Sequence, residues 1–173
     1  MSHLVVVDHG ARLEFSFADL MRYHGPGSPG GVAHAYKVLE RALPLLAPDG
    51  APERRDVAVR TAFGGPGARD AFELVLRAVT GRRYTVDPVL ARPDRGRGRA
   101  AERFVFVLTY RDREVTLAVR EGFVTDEFID LARAEQRTPE QEARLTALKA
   151  EMAERVMAAP ADAVYLAETS PGP

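Results

Sequence analysis

The sequence predicts an α+β fold in which helices pack on a mixed sheet that contains an antiparallel hairpin. Three observations carry this. Val57, Val59, Thr61 and Phe63 alternate with Asp56, Ala58, Arg60 and Ala62, and a glycine loop and a helix follow directly. Residues 103–110 and 114–120 form two more alternating runs around the tip Arg111-Asp112-Arg113. The carboxy-terminal part reads as helix, with no internal repeat and no clear linker. At 173 residues the chain is long enough for one domain with a single core.

In chain order, Leu4-Val5-Val6-Val7 forms a short strand closed by Asp8. Ser16 caps a helix from Phe17 to His24, with Asp19 as its capping-box partner. Gly25-Pro26-Gly27-Ser28-Pro29-Gly30-Gly31 is too rich in glycine and proline for anything but a shaped loop. A second helix follows, with Val32, Tyr36, Leu39 and Leu43 on one stripe, and Pro44 with Pro48 closes it. After the strand at 57–63, Gly64-Gly65-Pro66-Gly67 opens a helix carrying Ala68, Phe72, Val75 and Val79 on one face, with Gly81 as its stop. Tyr84 to Leu90 holds a short strand, and Arg92 to Arg99 reads as a mobile surface loop. Phe104, Phe106, Leu108 and Tyr110 share one face of the hairpin, opposite Val115, Leu117 and Val119. Thr125 caps a helix over Glu127 to Ala134, and Thr138-Pro139-Glu140-Gln141 starts another that reaches Ala158. Asp162 to Glu168 adds a terminal strand or turn.

Composition removes several functions. Cysteine is absent, which excludes disulfides, thiolate zinc sites, iron–sulfur ligation and cysteine nucleophiles. The 24 basic residues, of which only Lys37 and Lys149 are lysines, are matched by 25 acids. That balance favours a high-GC coding bias over a nucleic-acid surface, including at the arginine-spaced stretch 92–99, which lacks interleaved aromatics. The apolar run at the amino terminus is too short for a signal core, and no stretch spans a bilayer, so a cytoplasmic protein without membrane contact is expected.

Candidate chemistry concentrates at the two glycine loops. Each leads into a helix start, where unpaired N–H groups and the positive end of the dipole suit an anion; the alternative is a tight turn or close backbone packing. The candidate ligand-binding residues are Gly27, Gly30, Gly31, Arg60, Thr61, Gly64, Gly65, Gly67 and Asp70. Neither loop matches a known phosphate motif. His24 is the candidate acid/base group or an axial metal or haem ligand; its alternative role is a C-terminal helix cap. Ser28 is a candidate nucleophile only if His24 reaches it. Asp70, in the first turn of its helix, either offsets the dipole, orients a pocket group or holds the glycine loop. His34 lies opposite the Val32/Leu39 stripe, beside Arg41, and reads as a solvated or second-layer histidine, while His3 and His9 sit near the terminus.

The stretch Tyr23 to Gly31 resembles the H-G-H-x-C-P-G segment of the FmdE family, named for a component of formylmethanofuran dehydrogenase. Phe63 to Gly81, with Asp70-Ala71-Phe72 and Thr80-Gly81, looks like that family's glycine/cysteine loop, D-A-I helix and T-G turn. The resemblance covers residues 12–157 and implies an α+β fold likened to the catalytic domain of glyceraldehyde-phosphate dehydrogenase, often dimeric, with a metal pocket at the two motifs. His24 matches the first histidine of the pattern. Pro26 stands at the second, Ser28 at the first cysteine and Gly67 at the second block's cysteine, so family-type zinc is not expected and the metal site reads as lost. The zinc-ribbon extension of some members is absent with its cysteines.

Three functional readings follow. The first is an FmdE-like, metal-independent site for a small anionic molecule, with Arg60 supplying charge and His24 moving a proton. The second is a protein in which His24 ligates haem or a single metal. The third is a non-catalytic homodimeric module that uses the hairpin and the long final helix.

Overall fold

A computed structural model describes residues 2–92 and 101–173, so most of the arginine-spaced stretch at 92–99 lies outside the described residues. Among the described residues, seven strands and six α-helices follow one another along the chain. β1 (Leu4–Asp8) and β2 (Ala11–Phe15) form a separate antiparallel hairpin, tied to the body where Val7 bridges Glu53. The sequence reading omits β2, although Leu13 and Phe15 alternate with Arg12 and Glu14. Its partner turn is His9-Gly10, with φ of 51° and 81°, the positive pair that a two-residue hairpin turn requires.

α1 (Phe17–His24) has both bonds of the expected capping box, Ser16 to Asp19 and back. α2 (Pro29–Leu46) is the central element and packs against α1, α3, α5 and the sheet. Pro44 does not end it; the helix continues through the proline for two more residues. β3 (Ala58–Thr61), α3 (Pro66–Leu76) and β4 (Tyr84–Val86) make a parallel crossover unit. α3 stops five residues before Gly81, because Arg77 takes the left-handed C-cap conformation (φ 53°) and donates its N–H to Glu73. Arg54 and Arg83 then occupy the carbonyls at that helix end, from Leu74 to Arg77. The carboxylate of Glu73 accepts the Val79 and Thr80 N–H groups that follow. Burial works against the charge of Glu73, but the bonds from Thr80 and Val79 outweigh it and hold the carboxyl below its ordinary range.

β5 (Val105–Tyr110) and β6 (Arg113–Val119) form the expected hairpin, and β7 (Tyr165–Pro171) pairs with β6 after α4 (Asp126–Arg133), α5 (Pro139–Ala158) and the short α6 (Ala161–Val164). The five-stranded sheet runs β4-β3-β5-β6-β7, with only β3 and β4 parallel. The fold is thus α+β, with a mixed sheet. No described helix is long and apolar enough to cross a membrane.

His34 corrects the sequence expectation of a solvated or second-layer residue. Residues 32–39 of α2 are buried without a break, so no face of that segment meets solvent. His34 is fully buried, with Nδ1 2.7 Å from the Tyr165 hydroxyl and the ring tilted over Phe104. Burial pushes its pKa down to about 3, against an opposing backbone bond with Phe123, and the nearby Arg155 charge adds a smaller downward push.

Candidate functional site

The two glycine loops meet because two helices start side by side. α2 and α3 each begin with a proline at the first helical position, Pro29 and Pro66, after Ser28 and Gly65. Between those starts there is no room for side chains. A Cβ on Gly67 would lie 2.5 Å from the Ser28 carbonyl oxygen and 3.0 Å from the Val32 nitrogen. One on Gly31 would lie 3.2 Å from the Ala68 nitrogen. Close backbone packing therefore accounts for these two glycines.

Beside this contact lies a cleft of about 330 Å³, at the low end of the range for small-molecule sites. Ser28, Gly30 and Gly31 line it from the α2 start, and Gly65, Pro66 and Gly67 from the α3 start. Phe63, Phe128, Ala132 and Leu145 supply its apolar walls, and Arg137 and Lys149 its cations. No carboxylate is among the described residues that line it. Another cleft, of about 360 Å³, lies between β1, β2 and the Pro44 region of α2, away from both loops and with Glu40 in its wall.

The helix starts at the cleft differ from those of the other helices of eight or more residues. α1, α4 and α5 each have a side-chain cap and acidic residues in the first turn. α2 and α3 have neither. Their first N–H groups and the positive ends of their dipoles are therefore uncompensated by any side chain.

His24 ends α1, where Gly25 (φ 85°) turns the chain and donates its own N–H to Met21. The imidazole does not cap α1. Its Nδ1 lies 2.8 Å from Oδ2 of Asp70, joining residues 46 positions apart. The His24 side chain is only 9% exposed, and its Nε2 is buried without a hydrogen-bond partner. Asp70 is the fifth residue of α3, past the first turn, and its carboxylate also lies 3.6 Å from Arg69. The bond it makes is to the His24 imidazole, which is not among the residues that line the cleft. In the tautomer that donates Nδ1–H to the carboxylate, Nε2 carries a lone pair with no donor, and the atom is buried.

The expected site residues divide into groups. Ser28, Gly30, Gly31, Gly65 and Gly67 line the cleft. Gly27 is adjacent, its carbonyl accepting a bond from Lys149 Nζ at 3.2 Å. Arg60 is exposed on β3 and Gly64 is exposed beside Val86; neither lines the cleft. Thr61 is buried, donating to the Val105 carbonyl and accepting from the Phe63 N–H, so it shapes the chain after β3. His24 bonds Asp70 and makes no hydrogen bond to Ser28, so the serine is not paired with a base.

Sequence reasoning missed Arg137 and Lys149. Arg137 bonds Glu142 at 2.7 Å and two carbonyls at the end of α4, while Lys149 pairs with no carboxylate among the described residues. A signal for Lys149 existed: a chain that writes nearly every cation as arginine has lysine only at 37 and 149.

The residues present do not fit a zinc ion held in the manner of the family the motifs resemble. No group of three His, Asp or Glu side chains capable of holding a metal occurs among the described residues, and the space at Gly67 is closed by the Ser28 carbonyl. No protein-family model matches the sequence, and no curated protein matches it.

Proposed function

We propose that this chain is an FmdE-like domain that binds a small organic anion in the cleft between the starts of α2 and α3, without a family-type metal. Ser28 supplies the hydroxyl of the cleft, and the His24–Asp70 pair, the acid/base candidate of this reading, lies outside the residues that line it. The observation that carries it is the charge of the lining: two uncapped helix starts and two cations, with no carboxylate among the described lining residues. An anion there meets N–H groups and positive charge from two elements at once. Arg60, exposed on β3, adds only long-range charge.

Thermal melts of the full chain at low salt against a panel of carboxylates and phosphates test this. A ligand at a hundred times its Kd stabilises by about 2.7 kcal/mol, a rise of roughly 5–11 °C in Tm for a chain of this size. Lys149→Glu should abolish the rise. If no anion raises Tm, or Lys149→Glu leaves the rise intact, the cleft is not the binding site.

The bare Nε2 of His24 also supports a second reading, since a histidine with Nδ1 held by a carboxylate is a common arrangement for a metal or haem ligand. An absorption spectrum and metal analysis of the purified protein distinguish the two. A colourless, metal-free protein removes the second.

A further inference from the structure

The lining of the cleft narrows the class of anion, and this step rests on the anion-binding reading above. We infer that the cleft takes a monocarboxylate with a single ring-sized apolar body, such as an aryl acid, and not a sugar phosphate or inorganic phosphate.

Charge sets the head group. Arg137 is engaged by Glu142 and by the carbonyls of Leu131 and Ala134, which leaves its Nη2 as the donor without a partner among the described residues. Lys149 gives one bond to the Gly27 carbonyl and meets no carboxylate among the described residues. The side chains therefore present about one uncompensated positive charge, which suits a carboxylate better than a dianionic phosphate. A dianion would exceed the side-chain charge by one and would rely on the partial charges of the two helix starts for the rest.

The walls set the body. Phe63, Phe128, Ala132 and Leu145 come from the β3–α3 loop, α4 and α5, and together they make one side of the cleft apolar. Apart from Ser28, no lining side chain among the described residues can accept a hydrogen bond. A sugar or polyol would set hydroxyls against the apolar wall of Phe63, Phe128, Ala132 and Leu145, whose side chains accept no hydrogen bond, whereas a ring loses nothing there. Size agrees: a dry cavity of about 150 Å³ holds one benzene. The cleft of about 330 Å³ thus has space for a ring and a short acid arm. A partly buried Phe63, stacked on Phe104 at 4.2 Å, is a rigid wall for such a ring.

The test is calorimetric titration of the full chain with acetate, benzoate, phenylacetate, benzyl alcohol and inorganic phosphate. The aryl acids should bind roughly tenfold or more tightly than acetate, through the apolar area their ring buries, and more tightly than phosphate or benzyl alcohol. Ala132→Glu, at an exposed helix position on the cleft wall, should weaken aryl acids without changing the melting curve of the free protein. Phe128→Ala should weaken aryl acids and leave acetate unchanged. If acetate and phosphate bind as tightly as the aryl acids, the inference about the body fails while the anion-binding reading stands. If no compound binds, both fail.

Discussion

Gly67→Ala is the sharpest single perturbation of the contact that builds the cleft. In the interior of an exposed helix, replacing glycine by alanine gains about 1 kcal/mol through propensity. Here the added methyl would stand 2.5 Å from the Ser28 carbonyl oxygen, with the Val32 nitrogen and Cγ2 a further tight pair at 3.0 and 3.1 Å. The nearest of these atoms belongs to backbone, so a rotamer change cannot relieve the contact and the starts of α2 and α3 must move apart. Overpacking of this kind costs typically about 1–3 kcal/mol. The cost at a contact this short lies near the top of that range, so a net loss of about 2 kcal/mol is expected, or roughly 4–8 °C in Tm. Guanidinium melts of wild type, Gly67→Ala and Gly27→Ala measure it, because a methyl added at Gly27 would meet nothing within 4 Å and so serves as the control. The midpoint should fall for Gly67→Ala alone, with an unchanged m-value. A Gly67→Ala variant as stable as wild type would refute the close-packing argument.

Three further outcomes follow. His34 has a folded-state pKa of about 3 against 6.5 in the unfolded chain, so its contribution is fully present above pH 6.5 and is lost as pH falls towards 3. At pH 5 this amounts to about 2 kcal/mol of stability lost relative to pH 7, and His34→Gln should flatten that part of a pH series of urea melts. Tyr165→Phe removes the hydroxyl partner of His34 Nδ1 inside the core and should cost about 1–3 kcal/mol by the same melts. Thr138→Ala removes the side-chain half of the α5 capping box and should cost about 1 kcal/mol, seen as a lower midpoint in denaturant.

Local signals in the sequence were a faithful guide where the structure is local. Ser16 with Asp19 and Thr138 with Gln141 form the capping boxes their spacing announces. The hairpin of β5 and β6 turns at Arg111-Asp112, and its predicted apolar face enters the core. Long-range facts were out of reach. Nothing near His34 in sequence says that Tyr165, 131 residues on, covers it, and a helix buried on every side defeats a one-stripe reading. The end of α3 was misplaced because a left-handed arginine, with Arg54 and Arg83 on its carbonyls, did the work expected of Gly81. At the site, His24, Asp70 and the two glycine loops were legible one by one, but the bond from His24 to Asp70 and the cations of the cleft depend on tertiary packing.

The central claim is that the paired starts of α2 and α3 receive an anion, and amide chemical shifts report on those N–H groups directly. In a ¹⁵N-resolved titration with benzoate, the amides of Gly30, Gly31 and Gly67 should move together and saturate with one Kd, while those of the turn glycines Gly10 and Gly122 stay fixed. Saturable shifts confined to other residues, or no shifts at the two helix starts, would contradict the account.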